Sequence, residues 1–318
     1  LFGLTNGEGN HGEDVKELYY YLDATPSHAY LRMLYKYPQR EYPYSDLLHE
    51  NRRRGIHSPE YELVDTGVFD DNRYFDVFVE YAQATPGDIL MRVTVHNRGP
   101  AAADLQVLPQ FVFRNTWSWK PGQAKPHLRL AGDHVVADHP LLGRYQRHAD
   151  GADEWLFTGN ESNPQRLWGT PTHGWCKDAF HEYVVGGRAA AVNPAHQGTK
   201  AAARYRLTVE AGQSATLRLR LRAPDALPAF ADFDAVFAVR QREADAFYAD
   251  IQHDIGDADA RHVQRQAFAG MIWSKQYFHY DVRDWICGDA GQIPPPGQRR
   301  RGRNREWQHL NNADIISM

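Results

Sequence analysis

The sequence predicts a multidomain protein in which an antiparallel β-sandwich is followed by a region of amphipathic helices. Short segments of strand-like composition, separated by turn residues, run from about Tyr61 to Ala223. The stretch Pro224 to Pro228 ends this pattern, and beyond it the period of the apolar residues changes from two to about 3.6. Strands followed by helices indicate separate layers and not a parallel α/β sheet.

The clearest predicted strand is Asp88 to Asn97, which precedes a turn at Asn97-Arg98-Gly99-Pro100. Apolar and polar side chains alternate along it, as they do in a half-buried antiparallel strand. The apolar set is Ile89, Met91, Val93 and Val95, and the polar set is Arg92, Thr94 and His96.

A second alternating pattern lies on both sides of the turn Ala211-Gly212-Gln213. Before the turn, Tyr205, Leu207 and Val209 alternate with Arg204, Arg206 and Thr208; after it, Leu217, Leu219 and Leu221 alternate with Arg218, Arg220 and Arg222. This spacing predicts a β-hairpin. Charge opposite leucine at period two predicts that the arginines form a solvated sheet face.

Two helices are predicted after the prolines. The first has its apolar face at Phe230, Phe233, Phe237, Ala244, Phe247 and Ile251. The second is expected to be long and aromatic, with Asp257 as its N-cap and its apolar side at Val263, Ala267, Gly270, Met271, Tyr277, Phe278 and Trp285. Pro294-Pro295-Pro296 ends helical structure, and a further helix is expected near the last residue.

Composition narrows the class of protein. A net charge of -4 gives no field that would recruit nucleic acid or an anionic membrane, so neither is an expected partner. No apolar run approaches the roughly 20 residues that cross a bilayer. The two cysteines, Cys176 and Cys287, are too few for a disulfide framework, which favours a reducing, cytoplasmic setting. The chain starts at Leu1 without a methionine and stops just after an apolar stretch, so we expect missing sequence on both sides.

The run Phe111 to Trp119 is the first candidate binding site, because it carries Trp117 and Trp119 beside polar residues. The C–H faces of sugar rings pack on indole rings, while hydroxyl groups seek amides and charged side chains. The alternative is that both indoles fill the core or a domain interface.

Three other segments carry possible chemistry. Residues 1–17 are dense in glycine, amides and carboxylates, and either line a polyol site or form a structured loop. The basic run Arg299 to Arg305 lacks interleaved aromatics, so a solvated loop is favoured over a nucleic-acid patch. His173, Cys176 and His181 lie close in sequence but fit no zinc pattern, so no metal or other cofactor is expected.

Four stretches, LFGLTNGEGNHGEDVKELYYYLDATPSHAYLRMLYKYPQ, YELVDTGVFDDNRYFDVFVEYA, FVFRNTWSW and RRRGRNREWQHLNNADIISM, resemble large bacterial glucosidase-like proteins. These proteins belong with the family 63 glycoside hydrolases, relatives of processing α-glucosidase I and mannosylglycerate hydrolase. The resemblance spans almost the whole chain. It implies an N-terminal β-sandwich over 1–225, which is expected to lack its first strands, and over 226–318 a helical linker with the first helices of a truncated (α/α)6 barrel.

The resemblance also implies hydrolysis of α-linked glucosides or mannosides with inversion at the anomeric carbon. Inversion needs a carboxylic acid and a carboxylate base roughly 6.5 to 9.5 Å apart. In the family the acid is an aspartate in a Trp-Asp-containing motif and the base is a distant glutamate. Neither context occurs at Glu306 or Asp314, so no catalytic residue is assigned and the chain alone is expected to be inactive.

The expected contribution of this chain is therefore part of a pocket wall for an oligosaccharide or glycoside. The candidate substrate-binding residues are Trp117, Trp119, Asn304, Arg305, Glu306 and Trp307. Each of them has an alternative structural role, in which it joins the sandwich to the barrel. At the level of the chain, the alternative function is a non-catalytic carbohydrate-binding or structural β-sandwich module.

Overall fold

The computed structural model describes residues 17–55, 57–119, 122–225, 227–290 and 293–316. These residues form a β-rich structure with a large antiparallel sheet and several helices. The strands are β1 (Leu18–Ala24), β2 (Tyr30–Pro38), β3 (Tyr74–Thr85), β4 (Asp88–Asn97), β5 (Ala103–Val107), β6 (Gln110–Val112), β7 (His127–Ala131), β8 (His134–His139), β9 (Gly143–Ala149), β10 (Glu154–Thr158), β11 (Gln197–Gly198), β12 (Lys200–Val209), β13 (Ser214–Arg222), β14 (Gln276–Asp281) and β15 (Asn311–Ile316). The helices are α1 (Tyr44–Arg53), α2 (Pro164–Trp168), α3 (Ala179–Val184), α4 (Phe233–Ile251), α5 (Ala258–Trp273) and α6 (Val282–Cys287).

The predicted strands around residues 88–97, 205–209 and 217–221 are confirmed as β4, β12 and β13, but the predicted hairpin is wrong. Strand β12 pairs with β10 and β6, whereas β13 lies beside β4 in a different sheet. The turn between them bonds to β4, because Gly212 N donates to Asn97 O and Asn97 N donates to Gln213 O. The chain therefore changes sheet at this turn, which a local pattern cannot show.

The prediction of a solvated arginine face is wrong for the end of β13. Arg220 and Arg222 are each only 4% exposed. The segment that follows the strand covers them: Arg220 donates to Ala229 O over 2.8 Å, and Arg222 donates to Leu227 O. Backbone carbonyls thus accept hydrogen bonds from guanidinium groups that alternation alone assigns to solvent.

Contacts divide the chain into two compact units. Unit 1 comprises the described chain up to Gln106, together with Arg206–Leu219 and Phe230–Trp273. Unit 2 comprises Val107–Tyr205, Arg220–Ala229 and the chain from Ser274 onward.

In unit 1 the strand order is β1-β2-β3-β4-β13, and helix α4 packs on the sheet. The core cluster joins sheet and helix through Tyr30, Ala82, Leu90, Phe233, Phe237 and Ala244. The predicted helix face is confirmed at Phe233, Phe237 and Ala244, with Tyr248 buried in place of Phe247. Helix α4 covers Leu90, which is buried, whereas Ile89 and Met91 on the opposite face of β4 are only half-buried.

A buried polar network lies between the sheet of unit 1 and α4. Arg92 donates to both oxygens of Glu80, over 2.9 and 3.0 Å, and Tyr30 Oη donates to Glu80 Oε1 over 2.7 Å. Gln241 of α4 donates to Tyr30 Oη over 3.1 Å, and the Arg92 guanidinium lies 4.3 Å from the centre of the Phe237 ring. The network therefore ties three strands to one helix.

The predicted cap of the second helix is confirmed, but its predicted length is wrong. Asp257 Oδ2 accepts a hydrogen bond from Ala260 N over 2.7 Å at the start of α5. The helix ends at Trp273, and Tyr277 and Phe278 belong to β14. The helix expected near the last residue is also absent from residues 311–316, which form β15 and pair antiparallel with β14. Aromatic and β-branched residues favour strands when a partner strand is present.

Unit 2 contains the strand order β9-β8-β7-β11 and a second set in which β10 and β6 pair with β12. Helix α3 closes a small core over this second set, formed by Leu156, Phe180, Val192 and Ala202. Cys176 is a buried free thiol, and Cys287 is an exposed one. None of the helices that the structure describes is long and apolar enough to cross a membrane.

Two stacked histidines lie on neighbouring strands of unit 2. The rings of His134 and His148 are 4.7 Å apart and 26° from parallel, and Asp133 Oδ1 lies 3.1 Å from His134 Nδ1. Burial lowers the pKa of His148 from 6.5 to about 4; the charges of His134, Arg222 and Arg220 act in the same direction, and that of Asp133 opposes them. The folded protein therefore favours the neutral His148 ring.

We expect this histidine to make the protein acid-sensitive. A pKa that is lower in the folded state adds stability that is complete above the unfolded pKa and is lost as the pH falls through the folded pKa. The free energy of unfolding should therefore fall between about pH 6.5 and pH 4, by roughly 1 to 2 kcal/mol from His148 after allowing for solvent screening. Urea unfolding of the wild type and of His148→Phe at both pH values measures how much of the lost stability comes from His148. An equal loss of stability in the two proteins would contradict it.

Candidate functional site

The loop after β6 presents the two tryptophans that the sequence singled out. Strand β6 pairs with β12, and the chain then leaves the sheet. Asn160 Nδ2 donates to Phe113 O over 2.9 Å, and Asn115 Nδ2 donates to Asn160 O over 3.3 Å. Within the loop, Ser118 Oγ donates to Asn115 O over 3.1 Å. These bonds fix the backbone from which Trp117 and Trp119 project.

Trp117 is turned into unit 2 and is only 7% exposed. Its indole nitrogen donates to Glu161 Oε1 over 3.1 Å, and Lys125 Nζ donates to the same oxygen over 2.7 Å. Burial favours the neutral form of Glu161, but the bonds from Lys125 and Trp117 outweigh it and hold the pKa of this carboxyl below its ordinary value. The structure thus places Trp117 in the supporting role that was its alternative.

Trp119 is 41% exposed. It belongs to a cluster of three rings and one guanidinium that we call the aromatic platform, formed by Arg114, Trp119, Tyr277 and His279. The centres of the Trp119 and His279 rings are 6.2 Å apart. The Tyr277 and His279 rings are stacked 6.0 Å apart and 8° from parallel. The Arg114 guanidinium lies 5.0 Å from the Trp119 ring and 5.8 Å from the Tyr277 ring.

The alternation of strand β14 explains this cluster. Tyr277 and His279 are two residues apart, so they lie on the same face of the strand. Neither is among the predicted site residues, because the sequence pattern places Tyr277 in a helix. The stretch Tyr277-Phe278-His279-Tyr280 is four consecutive rings without alternation, so only its strand-favouring aromatic composition indicates β14.

The other four candidates, Asn304, Arg305, Glu306 and Trp307, lie in the loop before β15 and are all exposed. Asn304 adopts a left-handed conformation with φ of 65°, and its Nδ2 donates to Tyr280 Oη over 3.2 Å. Arg305 and Glu306 form an ion pair of 3.4 Å, and the Trp307 ring stacks 5.8 Å from His309. Tyr280 and His279 point to opposite faces of β14, so the structure separates the Asn304 contact from the platform.

Part of the basic run is held by a tryptophan of α6. The Arg299 guanidinium lies 4.8 Å from the centre of the Trp285 ring, and its NH1 donates to Trp285 O over 2.9 Å. Arg299 is thus engaged within its own unit. The polyol site considered at residues 1–17 lies, except for Glu17, outside the described residues.

Glu80, one of the buried carboxylates of unit 1, is not arranged as a catalytic acid. Burial of Glu80 favours its neutral form, but hydrogen bonds from Arg92 and Tyr30 outweigh it and keep its pKa below the ordinary value. A general acid needs the opposite shift at neutral pH. Among the residues that the structure describes, no group of three His, Cys, Asp or Glu side chains could hold a metal ion, and this includes His173, Cys176 and His181.

Comparison with known proteins gives one sequence relative and a weak structural likeness. No family model matches the chain. The uncharacterized protein YMR196W of Saccharomyces cerevisiae is 38% identical over 368 aligned residues, which cover 100% of this chain and 34% of the yeast protein. The chain thus spans about a third of the length of that relative. A solved structure named "Putative kojibiose phosphorylase from human microbiome" aligns with 67% of this chain and 23% of its own, at 8% identity and a TM-score of 0.28, which is too low to indicate a shared fold.

Proposed function

We propose that this chain is part of an inverting glycoside hydrolase that acts on α-linked glucosides or mannosides, and that the aromatic platform contacts the sugar. The observation that carries the proposal is the exposed cluster of Trp119, Tyr277 and His279 with Arg114 beside it. Stacked faces of this kind pack against the C–H groups of a pyranose, and the guanidinium can donate to its hydroxyls. The sequence resemblance to the family 63 glycoside hydrolases points to the same substrate class.

The catalytic carboxylates are proposed to lie in an (α/α)6 barrel to which this chain supplies a β-sandwich and a linker. This assignment rests on the resemblance. The length of the yeast relative is compatible with it, because the alignment leaves about two thirds of that protein outside the matched region. Within unit 1, the pairing of Glu80 with Arg92 and Tyr30 supports a structural role for that carboxylate.

The second candidate function is a carbohydrate-binding module without catalysis. It is favoured by the make-up of the platform, which has aromatic rings and a guanidinium but no carboxylate among its four members. Such a surface can hold a sugar but cannot protonate a leaving group or activate water.

Product analysis distinguishes the two functions. We expect the full-length protein to release glucose or mannose from α-glucosides or mannosylglycerate with inverted anomeric configuration, as followed by NMR, and we expect this chain alone to release none. Sugar binding by both proteins without hydrolysis by either would replace the hydrolase with the binding module. Retained configuration in the product would contradict the inverting mechanism.

A further inference from the structure

A cleft of about 510 Å³ opens in unit 2 at the strands β7, β8 and β9. Its polar lining consists of Lys125, His127, Asp138, His139 and Arg144. None of these residues belongs to the aromatic platform. Lys125 and Arg144 bring two positive charges to the cleft, and each is paired with one carboxylate, Glu161 and Asp138 respectively.

Strand register brings three of these side chains into one row. His127 is paired with Asp138, and Asp138 is paired with Arg144. Residues directly opposite each other in antiparallel strands project from the same face of the sheet. Because Arg144 and Asp138 are neighbours on this face, Arg144 Nε donates a hydrogen bond to Asp138 Oδ1 over 2.6 Å.

The cleft is rich in hydrogen-bond donors. The Asp138 bond uses only Nε of Arg144, and the guanidinium carries four further N–H groups. Lys125 Nζ uses one of its three donors on Glu161. His139 Nδ1 accepts from both Leu141 N and Leu142 N, each over 3.1 Å, which places the proton of a neutral ring on Nε2 and makes that nitrogen a donor.

We infer that this cleft binds an oxyanion, namely the phosphate or carboxylate group of a small ligand such as an acidic or phosphorylated sugar. A planar guanidinium matches two oxygens of such a group, and an ammonium and an imidazole N–H add charge and direction. The Phe113 ring lies 4.7 Å from His139, so the cleft borders the segment that presents Trp119. The inference does not depend on hydrolysis, because it concerns binding at a different set of side chains.

Calorimetric titration of the protein with inorganic phosphate, glucose 6-phosphate, glucuronate and glucose tests this inference. We expect at least one of the three anions to bind at this cleft with a measurable heat. Glucose, which carries no charge, should not bind there. Binding of phosphate and glucose 6-phosphate assigns a phosphate site, and binding of glucuronate alone assigns a carboxylate site. No binding by any of the three anions would overturn the inference.

Variants show whether the cleft is the place of binding. Arg144→Gln and Lys125→Gln should each reduce the affinity for the anion by about tenfold or more, because each removes a charge-assisted hydrogen bond to it. Arg188→Gln is the matched control: Arg188 forms a comparable exposed pair with Glu182 at 3.1 Å and does not line the cleft. Urea unfolding midpoints establish that all three variants are folded. Equal affinity in wild type and Arg144→Gln would refute the site.

Discussion

Replacing Glu80 by alanine should lower the free energy of unfolding by about 3 kcal/mol, because it leaves the half-buried Arg92 guanidinium without its counter-charge. Glu80 is buried and accepts two hydrogen bonds from Arg92, one from Tyr30 and one from Gln241. The truncation removes all four bonds at once. The Arg92 charge would then face the Phe237 ring and the sheet without the carboxylate that now accepts its hydrogen bonds. Urea unfolding followed by circular dichroism measures the loss.

The matched control is Glu182→Ala, which breaks the exposed ion pair with Arg188. Exposed pairs contribute little, so this variant should change stability by less than about 1 kcal/mol. A double variant, Glu80→Leu with Arg92→Met, should be more stable than Glu80→Ala, because it leaves no buried charge uncompensated. If Glu80→Ala were as stable as Glu182→Ala, the hydrogen bonds of Glu80 would not contribute to the stability of the packing between the sheet and helix α4.

Replacing Trp119 by alanine should weaken sugar binding by about 10- to 100-fold, because the indole supplies the largest ring of the platform. Its neighbours His279 and Arg114 would remain, but the apolar face that a pyranose covers would be lost. Trp119→Phe, which retains a smaller ring, should lose less. Titration of the protein with glucose, mannose and their α-linked disaccharides gives the affinities.

Trp307→Ala provides the comparison, since Trp307 is 56% exposed and stacks on His309 outside the platform. If the platform holds the sugar, Trp119→Ala reduces the affinity and Trp307→Ala does not. A loss of affinity in Trp307→Ala but not in Trp119→Ala would place the binding surface in the loop before β15. Unchanged affinity in both variants would leave neither tryptophan in contact with sugar.

Much of the secondary structure follows from local pattern. Strand β4 has the bounds predicted from its alternation, and Asp257 caps α5 as its position before an amphipathic segment predicts. Phe233 and Phe237 are buried on the predicted face of α4. These features depend on neighbours within a few residues, so the sequence contains the information that specifies them.

The candidate site was predictable only in part. Trp119 was a candidate because a tryptophan beside polar residues is chemically suited to sugar, and its exposure is visible only in the structure. Tyr277 and His279 were missed because a stretch of aromatic residues is compatible with either helix or strand, and the choice depends on pairing with β15, more than 30 residues later. Trp117 was grouped with Trp119 although it is buried, because sequence spacing does not show which indole meets Glu161.

The sequence by itself determined the β-rich character of the chain, the change to helices after Pro228, and the presence of aromatic and cationic residues suited to a carbohydrate. Only the tertiary structure decided which sheet each strand joins, as with β12 and β13, and which arginines are buried, as with Arg220 and Arg222. The physical reason is that periodicity records which residues share a face. What covers that face depends on segments outside the repeating pattern, such as the irregular chain at Leu227 and Ala229, whose contacts with the arginines leave no periodic signal.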